Sequence, residues 1–424
     1  MLANSLQRYL DFYGIHYGWV LVILVFFLTI FNAAVTSAPQ ILILPITNEF
    51  GWKISDVSIA IALMYLILAS ICPFSGAFLL KFGVSRVVLV TILLNALGLV
   101  LTILSYEKWH LLFSIGICCG MASGIIGMGL AATVASRWFK AKRGLVVGIL
   151  TAAYAAGTLI FIPFMAWITT EYNWRLAVFP PIIGIGASGI LFLLFSKDWP
   201  ADLKIAPLGE KFLFNPPKEN SKNVVIISFN CLVEASSQPS FWILVLTFLI
   251  CGLTSTGIVG QHFIPFCADN NVGIVLASSY LAVMGIFNFI GTVGSGWLSD
   301  RYDNYKLLMC YYALRGVSLL YLPYSDFGVY ELSLWAVFFG LDFVATVPPT
   351  VRLTSKSFGV VNGPVLFGWI FASHQIGSAI AAYGAGLSRD SLYSYVPAFI
   401  MAGLLCFLAT TIIIYFKTIS LKQI

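Results

Sequence analysis

The sequence contains very little charge: only 9% of its 424 residues are Asp, Glu, Lys or Arg. A water-soluble domain carries about 25% of these residues, so the composition is incompatible with an ordinary soluble domain. Hydrophobic residues make up 60% of the chain, and the mean hydropathy is +0.95. The sequence therefore predicts an integral membrane protein.

The absence of two kinds of sequence motif narrows the class of membrane protein further. No G-x-x-x-x-G-K-[ST] segment is present to hold a nucleotide phosphate, which argues against an ATP-driven pump. Apart from the neighbours Cys118 and Cys119, the eight cysteines are scattered, and none has the C-x-x-C spacing of a metal site. We therefore expect no enzymatic activity, no cofactor, no metal and no nucleic-acid partner.

Apolar runs of about 20 residues, the length of a transmembrane helix, recur along the whole chain. The first run is too long for the hydrophobic part of a signal peptide and is interpreted as the first span. The twelve predicted spans are 17–43, 55–79, 85–105, 110–135, 144–169, 175–196, 241–264, 272–298, 306–323, 332–352, 361–386 and 394–416. The one long polar connection divides the chain into an N-terminal bundle (1–196), a cytoplasmic central loop (197–239) and a C-terminal bundle (240–424).

The distribution of positive charge predicts the orientation. If both termini face the cytoplasm, most of the 23 Lys and Arg residues lie on the cytoplasmic side. Lys53, Lys108, Arg175 and Arg389 then lie outside, and Arg315 lies within a span. Cytoplasmic loops of membrane proteins carry an excess of Lys and Arg. The pattern therefore predicts a multi-pass protein of the cytoplasmic (inner) membrane with both termini inside.

The two halves are related by a constant offset of 220 residues. The matched pairs are Gly76 and Gly296, Lys81 and Arg301, Arg86 and Lys306, Gly120 and Gly340, Gly148 and Gly368, and Gly157 and Gly377. One offset that holds across several pairs of spans indicates two parallel six-helix repeats. Such repeats predict two pseudo-symmetric bundles that rock around a central site.

The loop after the second span of each half carries a family resemblance. GAFLLKFGVSRVVL (76–89) and GWLSDRYDNYKLL (296–308) resemble the G-x-x-x-D-R-x-G-R-[RK] loop of the major facilitator superfamily. The loop residues that match are Gly76, Lys81, Gly83 and Arg86 in the first copy, and Gly296, Asp300, Arg301 and Lys306 in the second. The first copy has Leu80 in place of the aspartate, and the second has Asp303 in place of a glycine. The resemblance implies the twelve-helix all-α fold of that family and a gating role for both loops.

A second stretch resembles one branch of the superfamily. RWFKAKRGLVVGILTAAYAAG (137–157) is similar to the corresponding segment of the monocarboxylate and oxalate/formate porters. That branch tends to carry an arginine within the eighth span, whereas here Asn288 is the most polar residue of that span. The resemblance therefore does not transfer a carboxylate-binding arginine to this chain.

Two ionisable residues lie deep within predicted spans, where an unpaired charge is costly. Asp342 falls near the middle of the tenth span, in GLDFVATVPPT, and Arg315 lies at a matching depth in the ninth. Three roles for Asp342 are open: a proton carrier, a structural ion pair with Arg315, and a direct contact with the substrate. The following Pro348 and Pro349 free backbone carbonyls and predict a weak point in the helix.

Further polar residues within spans are candidates for substrate binding. His374 and Gln375 lie mid-span among small residues, and the offset of 220 pairs His374 with Tyr154. Histidine titrates near physiological pH, so His374 is either a substrate or proton site or a packing residue. His262 is a candidate outer gate or entry contact. The remaining candidates, which serve either as ligand contacts or as hydrogen bonds between helices, are Asn32, Tyr280 and Asn288.

Together these features predict a secondary active transporter that works by alternating access. A small polar solute is expected as its substrate, with an organic anion such as a carboxylate first and the proton as coupling ion. The alternatives are a transporter of a siderophore or an amphipathic drug, and a transporter-like solute sensor. We expect one chain in the lipid bilayer to be the functional unit.

Overall fold

The computed structural model describes residues 2–126, 128–210, 212–213 and 222–422, which are helical apart from short connections and one β-bridge. The twelve long helices are α1 (Gly18–Phe50), α2 (Ile54–Lys81), α3 (Val84–Ile103), α4 (Lys108–Trp138), α5 (Arg143–Glu171), α6 (Trp174–Phe195), α7 (Pro239–Asp269), α8 (Ile274–Ser299), α9 (Asn304–Tyr321), α10 (Val329–Gly359), α11 (Asn362–Leu392) and α12 (Val396–Lys417). They match the predicted order of spans, so the predicted all-α, twelve-helix membrane architecture is confirmed.

Eleven of these helices are long and apolar enough to cross a membrane. The exception is α9, which is less apolar because it carries Lys306 and Arg315. Its 18 residues extend over about 27 Å, close to the thickness of the hydrocarbon core. Since α9 connects two spanning helices, it completes a twelfth crossing.

Two shorter helices lie outside the spans and were not predicted. One is Leu2–Phe12, and the other, Lys222–Ser236, falls within the segment that was expected to be a loop. This second helix packs against α11, because Trp369 Nε1 donates to both the carbonyl and the hydroxyl oxygen of Ser228, at 3.2 and 3.1 Å. Residues 211 and 214–221 of the same segment lie outside the described residues.

The packing of the two halves follows the repeat found in the sequence. A Cβ added at Gly120 would lie 2.8 Å from the carbonyl oxygen of Met64, and one added at Gly340 would lie 2.8 Å from that of Met284. These two contacts are again 220 residues apart. Glycine therefore allows α4 to approach α2, and α10 to approach α8, in the same way in each half.

The side of the bundle that carries both termini and the central segment is called here the terminal side. On the opposite side the two halves are in direct contact. The Asp390 carboxylate at the end of α11 accepts hydrogen bonds from the backbone N–H groups of Ile54 and Ser55, at 3.2 and 2.7 Å. Residues 32–43 of α1 and 261–267 of α7 are buried on all faces. The opposite side is therefore sealed.

Candidate functional site

Helix α10 is broken in the middle of the bundle. Its first segment ends at Phe343, and the helix resumes at Val347. The cause lies in Pro348 and Pro349, because a proline has no N–H to donate and its ring clashes with the carbonyl four residues earlier. One carbonyl freed in this way is that of Ala345, which accepts a hydrogen bond from the Ser295 hydroxyl of α8 at 2.6 Å.

Arg315 of α9 closes the end of the first α10 segment. Its Nη2 donates to the carbonyl oxygens of Asp342 and Phe343, at 2.6 and 3.2 Å. Its Nε lies 2.5 Å from Asp342 Oδ2, so the two side chains form an ion pair. The Arg315 side chain is fully buried, and that of Asp342 is 10% exposed. One guanidinium group thus balances a buried carboxylate and satisfies the free carbonyls of a helix end.

Helix α7 completes the surroundings of the guanidinium group. Arg315 Nη1 lies 3.1 Å from the Cys251 sulfur and 3.5 Å from the Thr254 hydroxyl oxygen. The same sulfur lies 3.1 Å from the hydroxyl oxygen of Thr346, in the break of α10. The group is therefore enclosed by polar atoms from α7 and α10.

The equivalent place in the N-terminal half is neutral. Asn95, which is related to Arg315 by the offset of 220, donates to Asn32 Oδ1 at 3.1 Å. The Ser123 hydroxyl donates to the same oxygen at 3.3 Å. Asn32 is only 2% exposed, so it joins α1, α3 and α4 rather than facing a cavity. Of its two expected roles, the geometry agrees with the bond between helices.

A cluster of four polar side chains lies between α1, α2, α5 and α7. Gln261 Nε2 donates to the Tyr65 hydroxyl at 2.7 Å, which links the C-terminal half to the N-terminal half. The hydroxyl oxygens of Thr36 and Tyr154 lie 3.2 Å apart, and Tyr154 is close enough to Tyr65 to interact with it electrostatically. These residues (Thr36, Tyr65, Tyr154 and Gln261) are called the central polar cluster.

The cluster borders an accessible space. Tyr154 is 43% exposed although its hydroxyl group contacts α1 inside the bundle. One to two helical turns closer to the terminal side, Thr151 and Val147 are exposed on the same side of α5.

Several buried polar atoms have no hydrogen-bond partner, and one of them belongs to the cluster. Within the described residues these include Gln261 Oε1, Gln375 Oε1 and His374 Nδ1. The His374 ring packs between Phe371 and Phe248, with ring centroids at 5.6 and 5.0 Å. Buried polar groups are normally satisfied in native proteins, so each of these atoms is available for a hydrogen bond to water or to a polar ligand.

Two predicted substrate contacts lie elsewhere. His262 was expected at an outer gate or entry, but it is fully buried, and its Nε2 lies 2.7 Å from the Ala382 carbonyl oxygen of α11. His262 thus joins two helices of the same half, and its role at an outer gate or entry stays a prediction. Tyr280 is buried and interacts with Ser333 of α10. Asn288 is partly exposed and accepts a hydrogen bond from Thr292 at 3.2 Å.

The first family-like loop (76–89) has Leu80 in place of an aspartate, and Asp198 beyond α6 lies next to this loop. Asp198 Oδ1 accepts a hydrogen bond from the Ser85 N–H at the start of α3, at 3.1 Å. Gly83 has a φ of +83°, and a Cβ there would lie 2.5 Å from Asp198 Oδ2. Only glycine fits this position without strain. Arg137 Nη1 donates to the Asp198 carbonyl at 3.3 Å and holds the segment in place.

In the second loop the aspartate and the arginine have different partners. Asp300 forms an ion pair with Arg352 of α10. Arg301 instead lies over the ring of Trp297, at 4.1 Å from its centroid. Asp300 therefore connects α8 to the second segment of α10 within one half.

Asp303 occupies the position where the family has a glycine, and it lies immediately before the first residue of α9. It accepts a hydrogen bond from the Lys306 N–H at 3.0 Å and pairs with Lys417 at 3.0 Å. Partial burial raises the pKa of the Asp303 carboxyl, but the bonds from Lys306 and Lys417 outweigh it, so this pKa lies below its usual range. Asp303 thus acts as the N-cap of α9.

The other matched loop residues lie at the surface. Lys81 and Arg86 are exposed, and Lys81 lies over the Phe82 ring at 5.3 Å from its centroid. A Cβ added at Gly76 or Gly296 would meet no neighbouring atom within 4 Å. Close packing within this structure does not explain these two glycines.

Several residues of the site were not found from the sequence. They are Thr36, Tyr65, Cys251, Gln261 and Ser295, all polar residues within apolar helices. Each was visible as a polar residue within a span. The sequence did not indicate which of the many such residues face one another.

Two six-helix halves that enclose a polar site within the membrane define a solute transporter. The family model described as Major Facilitator Superfamily matches residues 23–359. The chain belongs to the major facilitator superfamily, as the sequence resemblance indicated.

Curated relatives extend over nearly the whole chain. Monocarboxylate transporter 13 of Rattus norvegicus is 23% identical over 96% of this chain and 91% of its own length. The oxalate:formate antiporter of Oxalobacter formigenes is 22% identical, with 86% and 83% covered. The uncharacterized MFS-type transporter YcxA of Bacillus subtilis is 24% identical, with 89% and 90% covered. The expected similarity to the monocarboxylate and oxalate/formate branch is confirmed.

A solved structure shares the fold. It is the bacterial homolog of the human lysosomal transporter Spinster, in an inward-facing and unoccupied conformation. The TM-score is 0.69 with 13% identity, over 94% of this chain and 96% of the other.

Proposed function

We propose that this protein is a secondary active transporter for a small organic anion, with a monocarboxylate as the first candidate, and that it moves this anion together with a proton. The observation that carries the proposal is the central polar cluster. Its Tyr65–Gln261 hydrogen bond connects the two halves next to an accessible space. A ligand that replaces this bond would change how the halves are held together, as alternating access requires.

The chemistry of the cluster favours a solute that is neutral overall when it is bound. Its four side chains supply three hydroxyl groups and one amide, and none of them carries a charge. Hydroxyl and amide groups donate hydrogen bonds to a carboxylate. A monocarboxylate that travels with a proton adds no net charge. Similar relatives are named for monocarboxylates and for oxalate and formate.

His374 is the candidate for the proton site. Its Nδ1 is buried without a hydrogen-bond partner, so an imidazole nitrogen is available to take up a proton. Asp342 is less suited, because Arg315 contacts both its carboxylate and its carbonyl oxygen. Gln375, next to His374, and Asn288 of α8 are further candidates for contact with the solute.

We also propose that the terminal side is cytoplasmic. Lys and Arg are concentrated on that side, as the positive-inside rule requires. One chain contributes both halves of the cluster, which supports a functional monomer in the cytoplasmic membrane.

Counterflow in proteoliposomes tests the proposal. Purified protein is reconstituted with a panel of unlabelled solutes inside: short monocarboxylates, dicarboxylates, sugars, amino acids and a siderophore. We expect labelled monocarboxylate to exchange, and we expect net uptake of monocarboxylate into vesicles without internal solute to acidify the lumen. Exchange of only a siderophore or an amphipathic compound would reject an organic anion as substrate. Saturable binding without exchange would identify a sensor instead.

A pair of tyrosine variants tests the location of the site. Tyr154→Phe removes a hydroxyl group from the central polar cluster, and Tyr280→Phe removes one that lies between α8 and α10. We expect Tyr154→Phe to raise the KM for exchange and Tyr280→Phe to leave it unchanged. Equal effects of the two substitutions would contradict the assignment of the cluster.

A further inference from the structure

The break in α10 coincides with four departures from the internal repeat. Asp342, Pro348 and Pro349 have Ala122, Met128 and Gly129 as their partners in the first half, and Arg315 has Asn95. A charged pair and a double proline therefore occur in one half only. Because the four residues meet at the break, one physical cause should account for all of them.

The end of a helix segment is an electrostatically negative place. The last carbonyls of a helix lack partners and carry a partial negative charge from the helix dipole. Here the segment Val329–Phe343 ends inside the bundle, far from water, and the Asp342 carboxylate adds a full negative charge. Such a group of oxygens needs a cation to be stable in a nonpolar environment.

We propose that the Arg315 side chain is a tethered cation that occupies a cation-binding site at the broken end of α10, and that a free guanidinium ion enters this site when the side chain is removed. The site consists of Asp342 Oδ2 and the carbonyl oxygens of Asp342 and Phe343, with polar atoms of Cys251 and Thr254 at its edge. Its role is to keep α10 divided into two segments.

The planar guanidinium group fits this site because its nitrogens point in different directions. Nε and Nη2 together contact one carboxylate oxygen and two carbonyl oxygens. A lysine ammonium group is a single point charge on a flexible stem and cannot match these directions. The proposal does not depend on which solute is transported, because it concerns the packing of α10.

Chemical rescue of Arg315→Ala tests the site. The full chain is purified in detergent, and its unfolding temperature is measured with millimolar guanidinium or methylguanidinium, and with the same concentration of methylammonium. We expect Arg315→Ala to unfold at a lower temperature than the parent. Guanidinium and methylguanidinium should recover part of the loss, and methylammonium should not. The matched control is Asn95→Ala, which removes the neutral counterpart and should show no recovery.

Two outcomes would overturn the proposal. One is a guanidinium effect on Arg315→Ala that is no larger than the effect on Asn95→Ala. The other is an equal rescue of Arg315→Ala/Asp342→Ala, which lacks the carboxylate of the site.

If Arg315→Ala does not fold, a second measurement tests whether Arg315 stabilises the break in α10. Arg315→Lys is compared with the parent, and the comparison is repeated in a Pro348→Ala/Pro349→Ala background, in which α10 can become continuous. We expect Arg315→Lys to lower the unfolding temperature clearly in the parent and much less without the prolines. An equal loss in both backgrounds would mean that Arg315 has no function at the helix break.

Discussion

Arg315 holds Asp342 through both its side chain and its main chain: Nε lies 2.5 Å from Asp342 Oδ2, and Nη2 lies 2.6 Å from the Asp342 carbonyl oxygen. An ion pair that served charge balance alone would not involve the main chain. The carbonyl contact therefore links the buried charges to the break in α10. The residues of GLDFVATVPPT that are costly within a membrane, namely Asp342, Pro348 and Pro349, thus belong to one structural unit.

The ion pair predicts a large loss of stability when only one charge is removed. Asp342→Asn leaves a buried arginine without a counterion, and we expect it to lower the free energy of unfolding by about 3–5 kcal/mol. The double variant Arg315→Gln/Asp342→Asn removes both charges and should lose less than Asp342→Asn alone. Reversible unfolding in mixed micelles measures both. An Asp342→Asn protein as stable as the parent would contradict this role.

His374 and His262 give a matched test of proton coupling. Both are buried histidines of the C-terminal half, but the His262 ring contacts the Ala382 carbonyl, whereas the His374 ring packs between Phe371 and Phe248. We expect His374→Gln to retain solute counterflow and lose solute-driven acidification of the lumen. His262→Gln should retain both. Normal acidification by His374→Gln would assign the coupling proton to another group.

The seal on the opposite side depends on Asp390 at the N-terminus of α2. Its carboxylate accepts two backbone hydrogen bonds, and loss of a helix cap costs about 0.5–2 kcal/mol. We therefore expect Asp390→Ala to open that side more often. The reporter is Ser58→Cys, because Ser58 is buried next to Gly386 on this side. Its labelling by a membrane-impermeant maleimide should become faster.

The control for the Asp390→Ala experiment is Asp326→Ala, which removes an exposed carboxylate from the same side of the bundle. This variant should leave the labelling rate of the reporter unchanged. If Asp390→Ala and Asp326→Ala changed the rate equally, the effect would come from surface charge rather than from the cap.

Two glycines of α11 differ in what a methyl group would meet. A Cβ at Gly377 would lie 2.0 Å from the Leu249 carbonyl oxygen of α7, whereas one at Gly384 would meet no atom within 4 Å. We expect Gly377→Ala to destabilise the protein by about 1–3 kcal/mol, since the helices must separate. Gly384→Ala should be neutral or slightly stabilising. Thermal unfolding of both variants is the measurement, and equal stabilities would contradict the close packing of α7 and α11.

The sequence was most informative about properties that the membrane constrains directly, such as the length and hydropathy of each span. Hydropathy predicted twelve spans because an apolar segment must match the thickness of the bilayer. The constant offset between glycines indicated the repeat, and Gly120 and Gly340 indeed make equivalent contacts. Depth along a helix could also be counted, which placed Arg315 and Asp342 at the same level.

The sequence was least informative about which way a side chain points. In a soluble helix, polar and apolar faces reveal the orientation, but these helices are apolar on nearly all sides. His262 and Gln261 are neighbours, yet one joins two helices of the same half and the other joins the two halves.

The sequence alone thus determined the spans, their repeat, the family and the depth of each polar residue, because length and hydropathy are properties of a single helix. Tertiary structure alone decided that Tyr65 contacts Gln261, that Asp198 accepts a hydrogen bond from Ser85 at the start of α3, and that Ser295 donates to a free carbonyl of the broken α10. These contacts join residues far apart in the chain. They depend on how each helix is rotated against its neighbours, and close packing of all twelve helices sets that rotation.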